Sequence, residues 1–192
     1  LFEEIKSRKQ RIRSLIGDQV YLNHPPHCTI YHGTLASLDN WRTSLEEAVK
    51  SCKSFTTRTV ENFVFYSDPL AQFGHTIAIR LQLDPNLFEL QALVAKALQP
   101  HIKRNSRAIP SSLAKHSPFR ESIELFNFPF VGEHWIPHFS ISSLAVDKDS
   151  HLIADLLEAP CHFKVPVREL SIWEINDNYH NKLTTIRLAK YA

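Results

Sequence analysis

The stretch Pro26-His27-Cys28-Thr29-Ile30 decides how this chain is read, because its pattern returns as Pro137-His138-Phe139-Ser140-Ile141. Each copy runs proline, histidine, any residue, β-hydroxyl residue, isoleucine. Side chains in a strand repeat their direction every two residues, so His27 and Thr29 share one side while Cys28 and Ile30 take the other. His138 and Ser140 are paired in the same way. Two such strands side by side bring two imidazoles and two hydroxyls to one cleft. That set can hold a phosphate and move protons on both sides of it without a metal. One copy alone says little, since a lone strand histidine is more often structural and this chain has 11 of them. The repetition, with the same flanking proline and isoleucine, carries the weight.

Outward from the two motifs, the halves of the chain read alike. Leu1 to Ile16 spaces its apolar residues as an amphipathic helix closed by Gly17-Asp18. Val20 to Leu22 suggests a short strand, and His27 to Leu35 a strand carrying the first motif. A helix from Ser37 to about Cys52 follows, then strands Phe55 to Tyr66 and His75 to Leu83 as a hairpin. Asp84-Pro85 caps a helix running to about Gln99. Pro100 to Pro129 is the least regular third. The second motif lies on a strand from Trp135 to about Val146, followed by a helix to Glu158 and strands within His162 to Ile175 and Leu183 to Leu188. Motif strand, helix, long strand, turn, strand therefore occurs twice, over about 20–83 and 130–190. This order predicts one α+β domain over residues 1–192, with the two motif strands facing a shared groove.

Composition narrows the function. Lys and Arg number 22 against 20 Asp and Glu, too even for bulk binding of duplex nucleic acid, so an anionic substrate must meet a local patch. No apolar run is long enough to span a membrane. Cys28, Cys52 and Cys161 are too widely spaced for a structural zinc site or a redox pair. They read as reduced thiols in a cytoplasmic or nuclear compartment. Cys28 points away from the cleft by strand parity and is excluded as a nucleophile. The chain opens at Leu1 and contains no Met, so a natural N-terminus upstream is expected.

On the residues His27-Cys28-Thr29-Ile30 and His138-Phe139-Ser140-Ile141, with Gly132 and Trp135 ahead of the second set, the chain resembles the 2H phosphoesterase superfamily. That group includes the 2'-5' RNA ligase-like proteins and cyclic phosphodiesterases. The resemblance implies a bilobal, duplicated fold, each lobe an antiparallel sheet with outer helices, and a central groove between the lobes. It implies His27 and His138 as acid and base, with Thr29 and Ser140 as phosphate-binding hydroxyls. The expected function is a metal-independent phosphodiesterase without cofactors. Its substrates would be RNA termini or small nucleotides, through a 2',3'-cyclic phosphate or a 2'-5' linkage, with ligation as the reverse reaction. A monomer is expected. The alternative is a nucleotide- or RNA-binding module that uses the same groove and turns over poorly. Two intact proton-transfer groups favour the enzyme.

Three further residues are candidates for substrate binding. Tyr31 shares strand parity with His27 and Thr29, so it would line the groove. Trp173 sits on the strand equivalent to that of Tyr66 and would stack on a base, though core packing competes for it. Arg104, within Lys103-Arg104-Asn105-Ser106-Arg107, would guide an RNA strand if that loop borders the groove. A His24, His27, His32 row would be the starting point for a metal site. It is weaker than the twin motif because Pro25-Pro26 interrupts it and no acidic residue is near.

Overall fold

The computed structural model describes residues 1–37, 39–104, 117–176 and 179–190. Helix α1 (Phe2–Ile16) buries Ile5, Ile12, Arg8 and Lys9, and stops at Gly17, whose φ of 75° favours glycine. Helix α2 spans Trp41–Val49, four residues later than the apolar pattern suggests. Ser37 Oγ accepts from the Asp39 N–H at 3.0 Å, and Asn40 is left-handed, so the local turn wins until Trp41. Strands β1 (Phe55–Phe65) and β2 (His75–Leu81) form the expected hairpin. Helix α3 (Pro85–Leu98) starts as the sequence indicates, with the Asp84 side chain accepting from the Asn86 N–H. Helix α4 (Ser117–Phe126) lies within the stretch expected to be irregular. Strand β3 (His138–Leu144) carries the second motif, and helix α5 (His151–Glu158) is capped by Ser150. Strands β4 (Lys164–Val167), β5 (Glu169–Asn176) and β6 (Tyr179–Arg187) complete the order.

Both sheets are antiparallel, one four-stranded in the order β3-β2-β1-β4 and one two-stranded, β5-β6. Strands from the two halves are therefore interleaved: β3 and β4 flank the first hairpin. The four-stranded sheet turns Ile77, Ile79, Phe139 and Ile141 into a core shared with Ile5 and Ile12 of α1 and Ile153 and Leu156 of α5. A second core joins Trp41 and Leu45 of α2 and Leu90 and Val94 of α3 to Leu170 and Ile186. Helices thus cover one side of each sheet, giving the expected α+β fold.

The first motif departs from its expected strand. Among the described residues between Gly17 and Asn40 the pairings are isolated bridges, Val20 to Ser143, Cys28 to Phe139 and Leu35 to Ile102. Pro25 and Pro26 remove two backbone donors just where a ladder would start. Side chains from elsewhere hold the segment instead. Trp135 Nε1 donates to Thr29 O at 3.1 Å, and Gln91 Nε2 donates to Ile30 O at 3.3 Å.

Candidate active site

The bridge between Cys28 and Phe139 is antiparallel. It places His27 beside Ser140 and Thr29 beside His138. Each imidazole thus neighbours the other motif's hydroxyl, and the two imidazoles occupy diagonal corners. Diagonal neighbours across such a pair have Cα atoms about 7–8 Å apart, room for a phosphate between them. Cys28 and Ile30 turn inward against the first core, as strand parity predicts. Burial pushes the Cys28 thiol up to about 12, so it is not a thiolate nucleophile at neutral pH.

The two histidines are held by the same device. His27 Nδ1 lies 2.7 Å from Pro25 O, and His138 Nδ1 lies 2.6 Å from Ile136 O. A carbonyl only accepts, so each Nδ1 carries a proton and donates it. Nε2 is left as the nitrogen that can exchange protons. In both copies the acceptor belongs to the residue ahead of the motif proline, which proline holds extended. The proline of the pattern thus has a local purpose: it aims the carbonyl that fixes the ring.

His138 stands half-buried on β3, with Phe63 and Phe65 edge-on at 5.9 and 5.3 Å. Its cross-strand neighbour is Arg80, whose guanidinium pairs with Glu61 at 2.9 Å. Burial holds His138 below the usual 6.5, opposed by its bond to Ile136 and by the Asp68 carboxylate, while His27 adds to the lowering. His27 is also held low, first by desolvation and then by Lys9 and His180, against its bond to Pro25. Both imidazoles are therefore biased toward the neutral form.

The other expected site residues divide. Tyr31 does not offer its hydroxyl to the groove: Tyr31 Oη donates to Phe126 O at 2.6 Å, and the ring packs on Phe128 and the second core. Strand parity fails there because residues 31–34 are not a strand. Gly33 sits so close that a Cβ would lie 2.8 Å from Tyr31 Oη. Trp173 pairs with Lys182 and Ile175 with His180, so these four share one face of the β5-β6 sheet. The His180 ring lies 4.1 Å from that of His24, which stacks 6.4 Å from His27. That face, with Trp173 37% exposed on it, therefore looks toward the His27 end of the site. Arg104 is exposed, and none of its described contacts reaches the four motif side chains; residues 105–107 of its cluster lie outside the described residues. His32 packs against Phe128, ring centroids 6.4 Å apart. Among the described residues no three His, Cys, Asp or Glu side chains group to hold a metal ion.

Sequence reasoning misses the supports. Gln91, fully buried on α3, donates to Ile30 O and to Phe130 O (2.9 Å) and accepts from the Gly132 N–H (2.9 Å). One amide thus ties the first motif to the approach of the second. The only trace of this in the sequence is a polar residue on the apolar stripe of α3. Gln91→Leu leaves three backbone groups without this partner and is expected to lower unfolding stability by about 3 kcal/mol, read from urea denaturation.

Residues 1–178 match the 2'-5' RNA ligase superfamily. The chain belongs to that family, whose members are 2H phosphoesterases. Its fold is similar to that of TT0787 of Thermus thermophilus, at 14% identity and a TM-score of 0.60, covering 100% of this chain and 96% of that one. A solved phosphoesterase is likewise 14% identical, with a TM-score of 0.53, covering 97% of this chain and 92% of that one. A comparison with curated proteins gives no match. Among the described residues no helix is long and apolar enough to cross a membrane.

Proposed function

We propose that the chain is a metal-independent phosphodiesterase acting on RNA ends or small nucleotides, through a 2',3'-cyclic phosphate or a 2'-5' linkage. The observation that carries this reading is the matched anchoring of His27 and His138 by their Nδ1 atoms, at diagonal positions about the Cys28–Phe139 bridge. Opening a cyclic phosphate needs water deprotonated on one side of phosphorus and the leaving ribose oxygen protonated on the other. One neutral Nε2 takes the proton from water as its oxygen bonds to phosphorus. The other ring, as imidazolium, gives its Nε2 proton to the departing 2' or 3' oxygen. Thr29 and Ser140 donate hydrogen bonds to the non-bridging oxygens as their charge rises. Trp173 supplies a stacking surface for the base.

Turnover of 2',3'-cyclic mononucleotides and of 2'-5' and 3'-5' dinucleotides, with a chelator in excess, tests the reading. Hydrolysis of at least one of the first two classes is expected to continue undiminished, and its dependence on a divalent ion would overturn the mechanism. The pH profile adds a second check. One imidazole must be charged in the free enzyme while both are held below 6.5. The bell-shaped kcat/KM profile should therefore peak on the acid side of 6.5 and fall as pH rises through the acid's titration.

A further inference from the structure

We propose that Lys9 is a positioning residue for His27: its ammonium, inserted from α1, holds the backbone of the 21–24 turn and so fixes the place and the charge environment of that imidazole. The proposal rests on reading His27 as a proton-transfer group. Lys9 is 5% exposed, and Nζ donates to Tyr21 O at 2.6 Å and to His24 O at 2.8 Å. No carboxylate among the described residues pairs with it. A buried ammonium without a counter-ion is costly, and burial together with Arg13 brings Lys9 down to about 8. It is still a cation at neutral pH.

What this cation does follows from where it sits. The segment from Gly17 to His27 makes one isolated bridge and no ladder, and Tyr21 is held at a φ of 71°. The two Lys9 bonds grip both ends of that turn. One helical turn further along, Arg13 donates to Asp18 at 2.8 Å and to Asn23 at 2.6 Å, so neighbouring positions on α1 clamp the segment four times. His27 begins three residues beyond the second gripped carbonyl. The titratable and charged groups at this corner are Lys9 and Arg13 from α1, Asp18, Tyr21 and His24 from the segment itself and His180 from β6, with His138 across the groove. Burial and then His180, His27 and Lys9 push His24 down to about 4, leaving it neutral. Lys9 is thus the fixed positive charge behind His27, disfavouring imidazolium there and adding positive potential where a phosphate would bind.

The test is Lys9→Met, read by the 13Cε1 titration of His27 in the folded protein and by steady-state kinetics on a 2',3'-cyclic mononucleotide. Expected are a His27 midpoint raised by about half a pH unit, with His138 moving less, and kcat/KM lowered about 10-fold. A role confined to stability would lower the melting temperature and leave the His27 midpoint unmoved. That result overturns the proposal, as does a shifted midpoint with unchanged kcat/KM. Should the variant not fold, the wild-type protein decides. The His27 signal should then show a second inflection at the midpoint read from the Lys9 13Cε signal itself, and a His27 signal that stays flat through that midpoint contradicts the proposal. Absence of turnover in the wild type would count against the phosphodiesterase reading alone, because the His27 titration still measures the coupling.

Discussion

Replacing His27 or His138 with alanine is expected to lower kcat/KM for the best phosphodiester substrate by between about 100- and 10,000-fold, with the melting temperature nearly unchanged. His27 is exposed and His138 half-buried, and each ring is anchored by a hydrogen bond to a carbonyl two residues before it. Neither ring fills the core, so truncation removes chemistry rather than packing. The size of the loss follows from the mechanism: with one imidazole gone, either the nucleophile keeps its proton or the leaving oxygen departs as an alkoxide. The double variant should be little worse than the poorer single variant, since the two groups act in one step. A His27→Ala protein with unaltered turnover would make the twin motif structural.

Thr29→Ala and Ser140→Ala are expected to be milder, each removing one hydrogen bond to phosphate. Donors of this kind contribute about 2–4 kcal/mol to the transition state, or roughly 30- to 800-fold in kcat. Thr29 is exposed and Ser140 half-buried, so the hydroxyl at 140 is better shielded from water and its loss should cost more. Thr29→Ser and Ser140→Thr keep the donor and should recover most of the rate. A loss seen only in KM would mean that the hydroxyls grip substrate and transition state equally.

The sequence carries the local parts of this structure and not the distant ones. Period-two alternation is enough to turn Cys28 and Ile30 inward and to put His138 and Ser140 on one face. The β1-β2 hairpin and the Asp84 cap follow from alternation and turn chemistry within a few residues. Tyr31 lies where the segment has left strand geometry, and its hydroxyl is taken up by the carbonyl of Phe126, 95 residues away. The start of α2 is displaced by a Ser37–Asp39 turn that competes with a good apolar stripe. Interleaving of the halves, with β4 on β1 and β3 on β2, depends on pairings that no local pattern encodes. Gln91 reaches the first motif, and Lys9 the turn before it, only through tertiary contacts, so as sequence letters they look like ordinary helix residues.

The most direct measurement follows the 13Cε1 signals of His27 and His138 together while a nucleoside 2'- or 3'-monophosphate is added. One phosphate held between two diagonal imidazoles requires both signals to move with a single dissociation constant, and both rings to titrate at higher pH in the complex, because a bound anion favours their charged forms. Movement of one histidine alone, or of the two with separate dissociation constants, would contradict a shared phosphate site.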